Sequence, residues 1–300
     1  MRPAAVGLIA LLALTSACAA AQDGLARLQS DIENIAREAG GTVGVAVRHI
    51  ETGRELYVNR SERFPMGSAV KITLAVQLLT LVDEGKLSLE KIITLQRSDL
   101  RGGSGILVNR FDESQPAYSL LQLLEVMLIH SDNTATDVIW REIGGREAVA
   151  GRLVALGVNG ISVDRPIRAL LAAARGPEVA AAFFKDQRDT ATPEAMTQLV
   201  IKIWRREALS AESTALLLSI MQRCATGMRR LPGMLPSETR VFRKTGTLSI
   251  GVTNDVGIIE LPGGAGNIAI AVMVRESQRN LATQERTIAQ IAWAAYRYFR

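Results

Sequence analysis

Near the start of the chain Leu25, Leu28, Ile32, Ile35 and Ala36 recur at the spacing of one helical face, and Gly40-Gly41 ends the pattern. Over residues 42–50 the period falls to two, with Val43, Val45 and Val47 on one side, as in a strand. Glu51-Thr52-Gly53 reads as a hairpin turn into a second strand at 54–58. Residues 69–81 are apolar on nearly every side, the mark of a helix through the middle of a core, and 120–129 repeat it. Further helices are predicted over 133–143, 146–156, 193–204 and 211–221, with Gly144-Gly145 and Gly157 as stops. Strand patterns return at 240–244, 255–261 and 268–274, the last two separated by a turn that begins Pro262-Gly263-Gly264. A closing helix carries Ile288, Ile291, Ala292, Ala295 and Phe299 on one stripe.

Strands at both ends of a helical middle predict an α/β fold of the α+β type. One sheet is built from both termini and flanked by helices, and an all-α domain is inserted. We divide the chain into an α/β domain, residues 22–60 with 211–300, and an all-α domain, residues 61–210. The cleft between them is the natural place for a site.

Composition changes this picture little. Hydrophobic residues at 48% and charged residues at 22% fit a folded globular chain and exclude a disordered one. The net charge is +5, but Lys and Arg are scattered and the tightest pair, Arg229-Arg230, is isolated, so no patch for nucleic acid is predicted. His49 and His130, the only two histidines, cannot fill a three-histidine zinc site and read as a strand-face and a helix-end residue. No metal or cofactor is expected. Arg2, the apolar run from Val6 to Leu14 and Ala19-Ala20-Ala21 read as an export signal over residues 1–21, leaving Gln22 at the new N-terminus. The run falls short of the roughly 20 apolar residues of a span. Thr15-Ser16-Ala17-Cys18 loosely resembles a lipoprotein box, which prefers Leu where Thr15 stands. Release to the periplasm or medium is therefore favoured over a lipid on Cys18. In either case no internal disulfide forms, since only Cys224 remains, and a monomer is expected.

Ser68-Ala69-Val70-Lys71 is the first candidate for chemistry. Positions i and i+3 share a helical face, so a hydroxyl and an amine meet there. A serine at the start of a buried helix gains free N–H groups and the dipole, which favour a developing oxyanion. A lysine of lowered pKa is a competent base. The same four residues also fit an N-cap serine followed by a surface lysine. Ser131-Asp132-Asn133 follows the apolar helix that ends at His130, and Lys244-Thr245-Gly246-Thr247 closes a strand ahead of Leu248. Taken singly, these are a helix cap and a strand end with a turn glycine.

In that order and at those spacings the three motifs resemble the penicillin-recognising serine enzymes, specifically the class A β-lactamase family. Ile143-Gly144-Gly145, Arg188-Asp189-Thr190 and Asn254-Asp255-Val256-Gly257 extend the resemblance over nearly all of the chain that follows the signal. It implies an antiparallel sheet with the inserted helical domain, and a role for each motif residue. Ser68 would be the nucleophile and Lys71 its base. Ser131 would carry a proton to the leaving nitrogen, and Asn133 would hold the substrate's side-chain amide. The backbone N–H groups of Ser68 and Thr247 would form the oxyanion hole, while Lys244, Thr245 and Thr247 would bind the substrate, its carboxylate at Lys244 and Thr245.

One part departs from the family pattern. Class A enzymes hold the deacylating water with an Arg-x-Glu-x-x-x-Asn loop, and here Arg165 is followed by Pro166-Ile167-Arg168-Ala169-Leu170-Leu171. Ile167 stands where the glutamate belongs and Leu171 where the asparagine belongs. An isoleucine cannot be a general base. The longer connection, rich in Ala, Leu and Phe, reads as an added helical piece, with Glu178 and Asp186 as candidates to reach back. The Gly102-Gly103-Ser104-Gly105 run reads as a cleft rim or a plain turn. The leading expectation is a serine hydrolase that opens β-lactam rings through an acyl-enzyme on Ser68 and deacylates slowly. A D-alanyl-D-alanine peptidase or transpeptidase acting on peptidoglycan peptides is the second reading. A binder of β-lactams or wall peptides without turnover is the third.

Overall fold

The computed structural model describes residues 24–112 and 115–300. The export signal, its cleavage site and Cys18 lie outside the described residues. A helix over residues 24–37 (α1) leads into β1 (Thr42–His49), β2 (Glu55–Val58) and the short β3 (Phe64–Pro65). A 3-10 turn, Gly67–Val70, runs directly into α2 (Lys71–Asp83). Then come β4 (Ile92–Thr94), α3 (Leu107–Arg110), β5 (Ala117–Ser119), α4 (Leu120–Ile129), α5 (Asn133–Glu142) and α6 (Gly145–Ala155). They are followed by α7 (Ile167–Ala173), α8 (Pro177–Lys185), β6 (Thr190–Ala191), α9 (Pro193–Trp204) and α10 (Ala211–Gln222). The chain closes with β7 (Val241–Leu248), β8 (Val252–Glu260), β9 (Asn267–Arg275) and α11 (Leu281–Phe299).

The five-stranded sheet has the order β2-β1-β9-β8-β7 and is antiparallel throughout, so it is built from both ends of the chain as the strand patterns predicted. The period of two sorts β9 onto two cores. Ile268, Ile270, Val272 and Val274 face α1 and α11, packing with Val43, Val45, Ile32, Ile288 and Ile291. Ala269, Ala271 and Met273 face the helical side, where Phe242, Val256 and Ile258 join Leu74, Leu78, Leu124 and Leu199 in the larger core. A strand covered on both faces reads as a continuous apolar run, and Asn267–Arg275 does. Helix α2 is buried from Lys71 to Thr80, which accounts for its apolar residues on every side.

Two strands extend beyond their sequence patterns. β7 continues through Thr245, Gly246 and Thr247 to Leu248, and β8 begins at Val252. Polar residues break the hydrophobic alternation there, but the β7–β8 register holds from Val241↔Ile259 to Leu248↔Val252. The four shortest strands, β3 to β6, pair as two-stranded pieces too brief for a periodic signal.

Candidate active site

Ser68 occupies the second position of the 3-10 turn at the head of α2. It is half-buried, and its hydroxyl makes no hydrogen bond among the described residues. Residues i and i+3 eclipse in a 3-10 turn, so Lys71 follows on the same side. Lys71 is completely buried. Its Nζ donates to the Ser131 carbonyl (2.6 Å), Asn133 Oδ1 (3.0 Å), Ser131 Oγ (3.1 Å) and, longer, the Asp132 carbonyl (3.4 Å). Burial first, and then the nearby Lys244, push its pKa well below the ordinary lysine value against the pull of Asp132 and Asp137. The lowered pKa makes the neutral form, the one that accepts a proton, easier to reach.

The acceptors around Lys71 come from the turn between α4 and α5. Asp132 caps α5 through Ala135 N (2.9 Å), while its other oxygen accepts from Ile106 N (2.7 Å) and Leu107 N (2.8 Å). One carboxylate therefore fixes both the turn and the glycine-rich rim, whose Gly102 carbonyl accepts from Asn133 Nδ2 at 2.9 Å. Ser131 lies in the left-handed region with φ 57°, a conformation worth roughly 1 to 3 kcal/mol of strain for a non-glycine residue. The bonds from Lys71 to its carbonyl and hydroxyl hold it there.

On the other side the edge strand β7 lies against the Ser68 turn. A Cβ on Gly246 would come within 2.1 Å of the Met66 carbonyl, and one on Gly67 within 3.0 Å of Thr247 N, so this approach needs both glycines. Asn254 Nδ2 secures the turn to the sheet by donating to the Pro65 (2.8 Å) and Met66 (3.0 Å) carbonyls. Lys244 shares the face of Gly246. It is completely buried, its Nζ donating to the Thr245 carbonyl at 3.0 Å, and burial brings its pKa down to about 8. Thr245 and Thr247 take the opposite face. Thr245 Oγ1 pairs with Thr226 Oγ1 at 2.5 Å, and Thr247 Oγ1 accepts from Arg230 Nη2 at 2.8 Å. Arg230 also donates to the Gly246 (3.1 Å) and Asn254 (2.9 Å) carbonyls and to Glu285 (3.1 Å).

These elements enclose a cavity of about 710 Å³. Ser68, Ser131, Asn133, Thr245 and Thr247, all residues of the three motifs, line it together. Lys71 and Lys244 do not reach its surface. The side chain of Lys244 lies under the cavity floor rather than on it. Arg230 does line the cavity, and sequence reasoning missed it. Its partners stand 16 to 55 residues away, so no local pattern separates it from Arg229.

The segment between Asp164 and Asp189 is closed at its neck, where Arg165 Nε donates to Asp189 Oδ2 and Asp189 Oδ1 accepts from Asp164 N (2.8 Å) and Arg165 N (3.0 Å). Inside it, α7 and α8 form the expected helical piece. Ile167, Leu170, Ala174 and Phe183 pack on Leu248 and Val252 in a small core of their own. Ile167 and Leu171 line the cavity. Asp137, which neighbours Lys71, has both carboxylate oxygens engaged, one by Ile167 N (2.7 Å) and one by Arg101 Nε (2.7 Å). Neither Glu178 nor Asp186 lines the cavity. Asp186 is bound by Arg188 (2.8 Å) and Arg165 (3.2 Å), and hydrogen bonds from Arg188 first among the causes hold it at about 2, too acidic for an effective base at neutral pH. Among the described residues, no Asp or Glu side chain lines this cavity.

A sequence profile described as the Beta-lactamase enzyme family matches residues 27–299. The chain belongs to that family. It is 32% identical over 277 residues to the extended-spectrum β-lactamase PER-1 of Pseudomonas aeruginosa, covering 90% of this chain and 87% of that one. β-Lactamase VEB-1 of the same organism is 30% identical, covering 89% of each. The crystal structure of the TLA-1 extended-spectrum β-lactamase superposes with a TM-score of 0.83 at 32% identity, over 92% of this chain and 99% of that one. A β-lactamase structure from Chitinophaga pinensis gives 0.80 at 31% identity. The chain is thus a class A β-lactamase family member, a serine hydrolase by class, and its α7 brings the aliphatic Ile167 and Leu171 to the cavity wall.

Proposed function

We propose that this enzyme opens β-lactam rings by forming an ester on Ser68 and releases the acyl group slowly. One observation supports this reading above all: the cavity brings Ser68, Ser131, Asn133, Thr245 and Thr247 together over two buried lysines, yet among the described residues no carboxylate lines it. Neutral Lys71 takes the Ser68 proton as Oγ attacks the lactam carbonyl. The Ser68 and Thr247 N–H groups receive the oxyanion. The proton then passes through Ser131 Oγ, 3.1 Å from Lys71 Nζ, to the lactam nitrogen as its bond to carbon breaks. The substrate carboxylate lies against Thr245 and Thr247, in the field of Lys244 and Arg230, and Asn133 orients the side-chain amide. Among the described residues, no carboxylate on the cavity wall is placed to activate water against the ester. The enzyme acts as a monomer exported by residues 1–21, without metal or cofactor, and its cleft lies between the α/β part (22–60 and 211–300) and the helical part (61–210).

Peptide mapping by mass spectrometry after brief exposure to benzylpenicillin tests the reading. One penicilloyl group per chain is expected on the Ser68 peptide, persisting after free drug is removed, and none in Ser68→Ala. An adduct on another residue, or one retained by Ser68→Ala, would overturn it.

A further inference from the structure

The cavity is lined by four arginines and, among the described residues, no acid. Two of the four are occupied. Arg101 binds Asp137, and Arg230 is spread over two carbonyls, Thr247 and Glu285. Arg168 and Arg175 differ. Both are exposed at the cavity and have no hydrogen bond or ion pair among the described residues. Arg168 lies in α7 and Arg175 two residues beyond its end, with Leu171 between them in the sequence, and all three line the cavity. A Cβ on Gly103 would lie 3.4 Å from Asn133 Nδ2 and 3.8 Å from Leu171 Cδ1, so Leu171 is one small residue away from Asn133.

We infer that Arg168 and Arg175 form a subsite for a second negative charge, selecting β-lactams whose acyl substituent carries its own ionised carboxylate or sulfonate. The inference rests on the proposed acylation of Ser68. There Asn133 holds the side-chain amide, and whatever lies beyond that amide passes over Leu171 toward the two guanidinium groups. The ring carboxylate is already matched at Thr245 and Thr247, so these two cations are left for a charge that a simple penicillin lacks. An arginine fork matches a carboxylate or sulfonate in shape as well as charge.

The test compares acylation efficiency for benzylpenicillin and for its α-carboxylated analogue carbenicillin, by stopped-flow at low and high salt. Carbenicillin should acylate Ser68 about tenfold more efficiently at low ionic strength, with the ratio shrinking as salt screens an exposed pair. In the Arg168→Ala/Arg175→Ala double variant the ratio should fall to near one, and in Arg168→Lys/Arg175→Lys most of it should return. Circular dichroism confirms that the variants fold. Equal efficiencies in the unmodified enzyme, or a preference that survives the double alanine variant, overturn the subsite while benzylpenicillin acylation upholds the reading beneath it. Failure of both penicillins to acylate Ser68 removes both.

Discussion

The two walls of the cavity are built in opposite ways. The wall of Lys71, Ser131 and Asn133 is polar, buried and saturated with hydrogen bonds, each acceptor of the Lys71 amine placed by a cap or a turn. The facing segment, from Ile167 to Phe183, is held by apolar packing and a neck of ionic bonds, and it offers the cavity aliphatic side chains and arginines with no partner among the described residues. On the proposed mechanism the first wall transfers protons. The second shapes and charges the space and, among the described residues, offers no base. The difference separates two half-reactions that are usually discussed as one: forming the ester and hydrolysing it.

The largest effects should come from the polar wall. Lys71→Met removes the local base, and acylation by benzylpenicillin should slow by about 10² to 10⁴-fold in stopped-flow. Unchanged acylation would mean that the Ser68 proton leaves by another route. Arg230→Ala leaves Glu285 and two buried carbonyls without their partner, a loss of roughly 3 to 5 kcal/mol, and thermal denaturation should show it as a fall of about 10 °C. A change within about 2 °C would show that the network carries little of the stability.

The apolar wall can be rewritten. In Ile167→Glu/Leu171→Asn a carboxylate enters the cavity, and deacylation should accelerate by about 10²-fold if the missing base is what limits it. Stability should fall by a few kcal/mol, because Ile167 is 3% exposed and packs on Leu248 and Val252. Deacylation that stays slow in the folded variant would place the limit elsewhere. The smallest effect concerns Lys244. Below about 8 it is a cation, and above that it is neutral, while the arginines stay charged at all accessible pH. The affinity of the non-covalent complex with an anionic β-lactam should therefore weaken about fivefold as pH rises from about 7 to 9.5, corresponding to about 1 kcal/mol of lost field. A flat profile would take Lys244 out of carboxylate recognition.

Much of this was legible in the sequence because it rests on period and spacing. The double-sided apolar run of β9, the all-round burial of α2 and the stripe of α11 each followed from local pattern, and three short motifs named the residues that meet in the cavity. What escaped depended on contacts distant in the chain. The complete burial of Lys244 is one such feature, because it depends on what packs against β7 rather than on the motif itself. Arg230 and Asn254 act through partners on other elements, and Ser131 is held in its left-handed conformation by a lysine 60 residues earlier. The helical segment was expected, but the packing of Ile167 on Leu248, which makes a polar residue there costly, was not.

Rapid mixing with a chromogenic cephalosporin tests the separation of the half-reactions most directly. A complete acylating wall facing a wall without a base predicts a burst close to one product per enzyme, then a steady rate slower by about 10² to 10⁴-fold than a glutamate would give. Fast, linear turnover from the first milliseconds, with no burst and no recoverable Ser68 ester, would contradict it.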